Sequence, residues 1–154
     1  MNRNPFAKYP RPKANPRPKL ITAAEHAKLI TARDEGSKDQ RRSAFFRPVL
    51  IALRHSGRRL GEICNLDVGD VLGTTWTMHK HKTRRTTVKP QTASRTPCLQ
   101  TLTKILTANR SSGPVFTNSQ GRRWKPNAVQ LHFKRLRPRL GLPDSVTAQA
   151  YRHT

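Results

Sequence analysis

The chain has 154 residues and a formal net charge of +23, with 31 lysine and arginine residues against 8 acidic residues. This length allows one domain with a modest core and excludes two large ones. No apolar run reaches the roughly 18 residues that cross a bilayer, and the N-terminus lacks the apolar core of a signal peptide, so the sequence predicts a cytoplasmic protein without a membrane partner. A positive charge of this size indicates an anionic partner, and nucleic acid is the most common one.

Positive charge is concentrated in the second half of the sequence. Residues 71–142 contain no Asp or Glu, whereas Lys and Arg recur throughout. A solvated helix face usually carries charges of both signs. The single-sign stretch therefore predicts a surface that follows the backbone of a polyanion.

Residues 1–19 have a composition unlike the rest of the chain. They contain five prolines, six basic residues and no acidic residue. Proline fixes φ and lacks an N–H donor, which excludes a helix or a central strand here. We expect an extended arm, and two interpretations are open: an arm that grips a nucleic-acid backbone, or a linker from an upstream domain.

Two helices are predicted before the central motif of the chain. Thr22 and Glu25 form a capping box that starts the first helix. The second helix is expected to begin near Ser43, and Pro48 is tolerated there if it lies in the first turns. The residues predicted to face the core are Ala27, Leu29, Ile30, Phe46, Val49, Leu50 and Leu53.

A sharp corner is predicted after the second helix. Ser56 and Gly57 break the helical pattern, because Gly at a helix end favours a left-handed cap. A short helix then starts near Arg59, which places Arg58 and Arg59 beside unpaired helix-start N–H groups. Such amides and the helix dipole favour an anion. The corner is therefore either a phosphate seat or a turn with solvated arginines.

β-Branched and aromatic residues predict two short strands after the corner, at residues 74–78 and 86–88. The connection between them, residues 79–85, is strongly basic. This is the pattern of an antiparallel hairpin with a basic tip.

Three further helices are expected after the hairpin, at residues 98–108, from an N-cap at Asn127, and from about Thr147. The residues predicted to face the core are Leu99, Leu102, Ile105, Leu106, Val129, Phe133, Leu136 and Leu140. The opposite face of the helix after Asn127 carries His132, Lys134, Arg135, Arg137 and Arg139. The order of elements predicts a mostly α fold with a small antiparallel β-hairpin or sheet (α+β).

Cysteine and histidine residues do not form a metal-binding pattern. Cys64 and Cys98 are far apart in apolar helical contexts and are predicted to be reduced core residues. His79 and His81 alternate on a strand, but no third ligand accompanies them. No metal or other cofactor is therefore predicted, and His26 is expected on the surface of the first helix.

Several separated motifs resemble the catalytic domain of the tyrosine recombinases, the phage integrase family. Residues 57–62 (Gly-Arg-Arg-Leu-Gly-Glu) are similar to its first box, in which Gly, one residue and the catalytic Arg are followed three residues later by an acid. Residues 66–71 resemble the continuation of that box, and residues 81–83 (His-Lys-Thr) resemble the tip of the family's hairpin. Residues 113–116 match its Gly-Pro-x-Phe segment, and residues 147–154 match its second box, normally His-x-x-Arg-His.

The order and spacing of these motifs carry the resemblance, which covers residues 20–154. It implies a partial tyrosine recombinase catalytic domain at residues 20–154, preceded by the arm or linker of residues 1–19.

The resemblance also implies a role for each matching residue. In that family a tyrosine attacks a DNA phosphate, forms a 3′-phosphotyrosyl bond and releases a 5′-hydroxyl without metal or cofactor. Arg59 and Arg152 would clamp the phosphate oxygens. Lys82 would protonate the leaving oxygen as general acid, with Lys80 as the competing candidate. Glu62 would orient Arg59, the alternative being a helix-start acid favoured only by the dipole.

Two departures from the family pattern affect the expected activity. Gln149 stands where the second box normally has His, and glutamine can hydrogen-bond a phosphate oxygen but cannot accept a proton near neutral pH. The family's nucleophilic tyrosine lies beyond the second Arg, whereas this chain has only Tyr9, in the arm, and Tyr151, in the box. His153 is expected to pack in the helix of the second box.

The sequence is therefore interpreted as a C-terminally truncated catalytic-domain fragment of a site-specific recombinase or integrase, which does not cleave DNA alone. The alternative is a non-catalytic DNA-binding remnant or a basic nucleic-acid-binding protein. Double-stranded DNA is the implied partner; the full-length form is expected to be a tetramer on DNA, and this fragment a monomer. Further residues predicted to bind DNA are Arg58, Lys80, Arg84, Arg85, Lys134 and Arg135.

Overall fold

The longest helix, α2 (Arg42–Ser56), is the element against which most of the others pack. Its neighbours are α1 (Ala23–Thr31), α3 (Leu60–Cys64), α4 (Pro97–Thr107) and the 3₁₀ turn Ala150–His153, here called the C-terminal turn. The computed structural model describes residues 20–32, 42–79 and 90–153. In this described part, no helix is long and apolar enough to cross a membrane.

A three-stranded antiparallel sheet and one more helix complete the fold. The central strand β2 (Thr75–Met78) pairs with β1 (Val71–Leu72) on one side and with β3 (Gln91–Ser94) on the other. The last helix, α5 (Pro126–Arg139), contacts α3. The predicted fold class, mostly α with a small antiparallel sheet, is confirmed.

Aromatic packing joins α2 to α5 in the core. The ring of Phe46, on α2, stacks on His132 with centroids 4.9 Å apart and meets Phe133 edge to face at 5.4 Å. The indole of Trp124, just before α5, donates a hydrogen bond from Nε1 to the Phe45 carbonyl at 3.2 Å. A buried indole N–H needs such a partner, so this contact fixes the start of α5 against α2.

The predicted inward face of α4 is partly wrong. Leu99 is fully buried and Thr103 is buried beside it, with its hydroxyl donating to the Leu99 carbonyl at 2.5 Å. Ile105, predicted to be inward, is 69% exposed, because at 3.6 residues per turn it lies about 120° from Leu99 around the helix. Cys98 is exposed for the same reason, whereas Cys64, on α3, is buried as predicted.

One residue of α1 also differs from the prediction. Ala27 is exposed although it was expected to face the core. On α2, Pro48 lies within the first two turns, as predicted. Because proline lacks an N–H, the carbonyl of Ala44 has no helical partner. Ala44 is an exposed residue, so water is close to that position.

Strand and helix ends in the second half of the chain are also shifted. The returning strand of the hairpin is described at β3, and the predicted strand at residues 86–88 lies outside the described residues. β1 was not predicted, since two residues are too few to show an alternation of apolar and polar side chains.

Two helix starts also differ from the prediction. Lys125, not Asn127, is the N-cap of α5, because Pro126 occupies the first helical position, where its missing N–H costs nothing. The helix predicted from Thr147 is instead the C-terminal turn.

Gly57 makes the corner between α2 and α3. Its φ is +60°, in the left-handed region that favours glycine. The Ser56 hydroxyl donates to the Ala52 carbonyl at 2.6 Å and accepts from the Arg58 N–H at 3.2 Å, which closes the end of α2. The predicted corner is confirmed.

Replacing Gly57 by Ala should destabilise the fold by about 1–2 kcal/mol, the usual cost of a left-handed residue that carries a Cβ. Gly61→Ala is the matched control, since Gly61 lies in α3 and has no positive φ. This substitution should stabilise the fold by up to about 1 kcal/mol. A Cβ at either position meets no atom within 4 Å, so backbone preference alone separates the two. Urea unfolding measures both, and equal effects would contradict the corner geometry.

Candidate nucleic-acid site

Arg59 is held at the start of α3 by a buried carboxylate. Glu62 accepts a hydrogen bond from the Arg59 backbone N–H at Oε2 and from the Arg59 guanidinium at Oε1, each at 3.2 Å. The Glu62 side chain is 4% exposed and that of Arg59 is 37% exposed. A buried carboxylate is costly unless paired, so Glu62 holds Arg59 in one orientation. A guanidinium has five N–H donors, and further donors therefore remain for an anion on its solvent side.

Arg58, the neighbouring arginine, faces the sheet instead. Its Nη2 donates to the Thr92 carbonyl at 3.0 Å, and its Nη1 donates to the Gln91 side chain at 3.5 Å. The predicted DNA contact of Arg58 thus competes with a structural one, which ties the corner to β3. Gln91 is the first residue of β3 and is separated from residues 80–89 by Pro90.

The basic hairpin tip predicted from the sequence lies outside the described residues. This applies to four of the predicted site residues: Lys80, Lys82, Arg84 and Arg85.

The described end of β2 is anchored through two aspartates. His79, directly after β2, lies 3.3 Å from Asp70 Oδ1 through its Nε2. The other oxygen of Asp70 accepts from the Asp67 N–H at 2.9 Å, and Asp67 in turn pairs with Arg123. This chain of contacts fixes the strand that leads into the hairpin tip. Among the described residues, no three His, Cys, Asp or Glu side chains are arranged to hold a metal ion.

The C-terminal turn carries two predicted site residues at the surface and two buried residues. Gln149, just before it, and Arg152 are exposed, whereas Ala150 and Tyr151 are buried. Backbone N–H groups of Ala150 and Arg152 donate to the carbonyls of Thr147 and Gln149, each at 3.1 Å. These bonds close the turn so that Arg152 faces solvent.

Two histidines differ from their predicted placement. His26 is half-buried rather than on the surface, because its Nδ1 lies 2.8 Å from the Tyr151 hydroxyl. Its pKa is lowered by burial and by the positive charges of Arg54 and His55, while burial raises the pKa of Tyr151. His153, expected to pack, is exposed at the end of the C-terminal turn.

The two arginine-bearing segments both adjoin α2. The corner with Arg59 follows directly on the last turn of α2, and the C-terminal turn packs against the same helix. Arg54, in that last turn, is close enough to Tyr151 to lower its pKa. The first and second boxes, although distant in sequence, are thus supported by one helix.

The outer face of α5 supplies a second basic surface. Lys134, Arg135 and Arg139 are exposed, as predicted. Arg137 differs: its side chain is 13% exposed, pairs with Asp144 at 3.2 Å and donates to the Val146 carbonyl at 3.3 Å. Because one guanidinium reaches both groups, Arg137 holds the segment that leads into the C-terminal turn instead of facing solvent.

Three contacts at the site were not predicted from the sequence: His26 with Tyr151, Arg123 with Asp67, and Arg137 with Asp144. The first two join residues far apart in the chain. Only the third pair is close in sequence. Its two residues are seven positions apart across a Gly-Leu-Pro turn, and this spacing is only a weak indication of an ion pair.

The sequence of the chain is similar to that of a known protein family. The model of the phage integrase family matches residues 19–154. Tyrosine recombinase XerC of Rhizobium meliloti (strain 1021) is 29% identical over 139 residues, which are 89% of this chain and 44% of that protein. The chain therefore spans less than half the length of this relative.

Solved structures share the fold at low sequence identity. A lambda integrase (75–356) dimer bound to a COC′ core site superposes with a TM-score of 0.70 at 16% identity, covering 92% of this chain and 52% of that one. A lambda integrase tetramer bound to a Holliday junction gives a TM-score of 0.69 at 16% identity, covering 99% of this chain and 46% of that one.

Glu62→Gln should lower the free energy of unfolding by about 1–3 kcal/mol, because the buried group loses its charge while it still faces the donors of Arg59. The measurement is urea unfolding of the variant beside the unmodified chain.

The matched control is Asp144→Asn. This carboxylate also pairs with an arginine, but its side chain is 99% exposed, so little change is expected. A Glu62→Gln variant as stable as the control would show that the carboxylate does not hold Arg59.

Proposed function

Because this chain belongs to the phage integrase family, we propose that it forms part of a site-specific recombinase or integrase that binds double-stranded DNA and clamps the phosphate to be cleaved. The observation that carries the proposal is Arg59, which is oriented by buried Glu62 at the corner after α2, while exposed Arg152 stands on the C-terminal turn that packs against the same helix. The net charge of +23 supports a polyanionic partner. The named activities of the relatives, a tyrosine recombinase and an integrase bound to DNA, support the same class.

The proposed chemistry is transfer of a DNA phosphoryl group to a tyrosine. Negative charge grows on the non-bridging oxygens as the tyrosine attacks, and two fixed guanidinium groups stabilise that charge in the transition state. Arg59 and Arg152 take this role. Lys82 donates a proton to the leaving 5′-oxygen, with Lys80 as the competing donor.

Gln149 and Glu62 assist this clamp in different ways. Gln149, exposed beside the C-terminal turn, donates a hydrogen bond to a phosphate oxygen but does not act as a general base. Glu62 does not touch DNA; it holds Arg59 through the two hydrogen bonds at 3.2 Å.

The attacking tyrosine is not Tyr151. Its side chain is 1% exposed, its hydroxyl is bonded to His26, and burial raises its pKa. Each of these features keeps the hydroxyl protonated and away from a phosphate. In the described part of the chain there is no other tyrosine, so the proposed reaction takes its nucleophile from outside these residues.

DNA contacts beyond the clamp are proposed on α5 and on the hairpin tip. Lys134 and Arg135 are exposed on α5 and positioned to contact phosphates, whereas Arg84 and Arg85 would do so from the hairpin tip. We further propose that the complete protein acts in the cytoplasm as a tetramer on DNA and that this chain alone is a monomer.

A second candidate function is DNA binding without catalysis. The observation that favours it is Gln149, which stands where the second box normally has a histidine. Under this alternative the arginines act only as general positive charges.

A phosphate-by-phosphate substitution scan separates the two functions. The chain first selects a duplex from a random library. That duplex is then prepared as a series in which each member carries one neutral methylphosphonate in place of one phosphate. Neutralising the clamped phosphate should raise Kd about tenfold or more, since it removes charge-assisted hydrogen bonds. Arg59→Ala and Arg152→Ala should each weaken binding to the unmodified duplex and abolish the sensitivity at that same phosphate.

Arg122→Ala is the control, because Arg122 is exposed in a turn that carries none of the residues proposed for the clamp. Loss of this one positive charge should reduce the slope of log affinity against log salt by about one. The position of the phosphate whose neutralisation weakens binding should stay the same. If Arg59→Ala and Arg152→Ala behave like this control, the clamp does not exist and the second candidate function stands.

A further inference from the structure

Tyr151 links the C-terminal turn to the first helix. Its hydroxyl lies 2.8 Å from Nδ1 of His26, a residue 125 positions earlier in the chain. The two rings meet edge to face with centroids 5.5 Å apart. Phe133, on α5, also packs against the tyrosine ring, with centroids 6.1 Å apart. The tyrosine is therefore fixed both by apolar packing and by one polar partner.

The surroundings of this pair are positively charged. Arg54 and His55, on α2, both lower the pKa of His26. The Nη1 of Arg54 is buried and has no hydrogen-bond partner among the described residues. Glu25, next to His26 on α1, is the acidic group that acts on Tyr151. A proton added to His26 thus places a further positive charge beside Arg54.

Arg152 follows Tyr151 directly on the C-terminal turn. A 3₁₀ turn this short has few hydrogen bonds of its own, so the direction of its side chains depends on what anchors it. Ala150 and Tyr151 are its buried residues, and of their side chains only that of Tyr151 can form a hydrogen bond. A rotation of the tyrosine would turn the backbone that carries the exposed Arg152 guanidinium.

We propose that the His26–Tyr151 hydrogen bond is a positioning contact for Arg152. It fixes the C-terminal turn against α1, sets the direction in which the Arg152 guanidinium faces DNA, and makes that direction depend on the charge of His26. The inference rests on the proposed role of Arg152 in binding a DNA phosphate.

The direction of the pH effect follows from the contacts. The lowered pKa of His26 keeps the imidazole neutral at pH 7, and Nδ1 can then accept the hydroxyl proton of Tyr151. Below the ordinary value near 6.5, protonation turns both ring nitrogens into donors and adds repulsion from Arg54 and His55. The Tyr151 oxygen must then accept from Nδ1–H and turn its own proton elsewhere, while Arg54 repels the charged ring. The contact is therefore strongest at neutral pH, and it reverses its polarity and weakens as the pH falls through the pKa of His26.

The test is an NMR titration of the whole isotope-labelled chain without DNA. The ring signals of His26 give its pKa, and the Nε–Hε and backbone N–H signals of Arg152 report the turn. We expect the Arg152 signals to shift with the same midpoint as His26, below pH 6.5. This dependence should vanish in Tyr151→Phe, which removes the hydrogen bond, and in His26→Gln, which removes the titrating group.

His55→Gln is the control variant, since His55 is exposed and acts on His26 only through its charge. It should raise the midpoint of His26 and keep Arg152 coupled to it. The inference would be overturned if the Arg152 signals of the unmodified chain did not shift as His26 ionises. This result does not depend on whether any variant folds.

A double-mutant cycle on DNA affinity then connects the contact to function. Arg152→Ala should raise Kd about tenfold in the unmodified chain and clearly less in the Tyr151→Phe background, because the guanidinium is already misplaced there. Equal losses in both backgrounds would make Tyr151 a packing residue only. An Arg152→Ala variant that binds DNA as well as the unmodified chain would instead refute the proposed function, whatever the NMR titration shows.

Discussion

The proposed site depends on the pair between the buried carboxylate of Glu62 and Arg59. A carboxylate that is only 4% exposed is costly to keep charged without partners, and Arg59 supplies two, its backbone N–H and its guanidinium. The same bonds that satisfy Glu62 cap α3 and aim the guanidinium outward. The left-handed Gly57 makes this geometry possible, because the chain must reverse within three residues between α2 and α3.

Helix α2 is the common support for the two boxes. The corner continues directly from its last turn, and the C-terminal turn packs on the same helix. Aromatic packing around Phe46 fixes α5 to α2, and Arg137 extends from α5 to hold the segment before the turn. A displacement of α2 would therefore move both arginines of the proposed site.

Local patterns predicted the features that depend on neighbours in sequence. The capping box of α1, the glycine corner, the start of α3 and the buried faces of α2 and α5 all follow from residues within a few positions of each other. The prediction for Ile105 was wrong because the apolar stripe of α4 is broad, and only packing decides which part of it is buried. His26 with Tyr151 and Arg123 with Asp67 could not be predicted, since each contact joins residues that approach only in the folded chain.

The most direct test of the central claim is a structure of this chain bound to the duplex that it selects. The account predicts that the guanidinium groups of Arg59 and Arg152 contact non-bridging oxygens of the same phosphate, with Glu62 still bonded to Arg59 and no contact between Glu62 and DNA. The account would be contradicted if the two arginines met different phosphates, or if DNA lay on α5 alone with both guanidinium groups facing solvent.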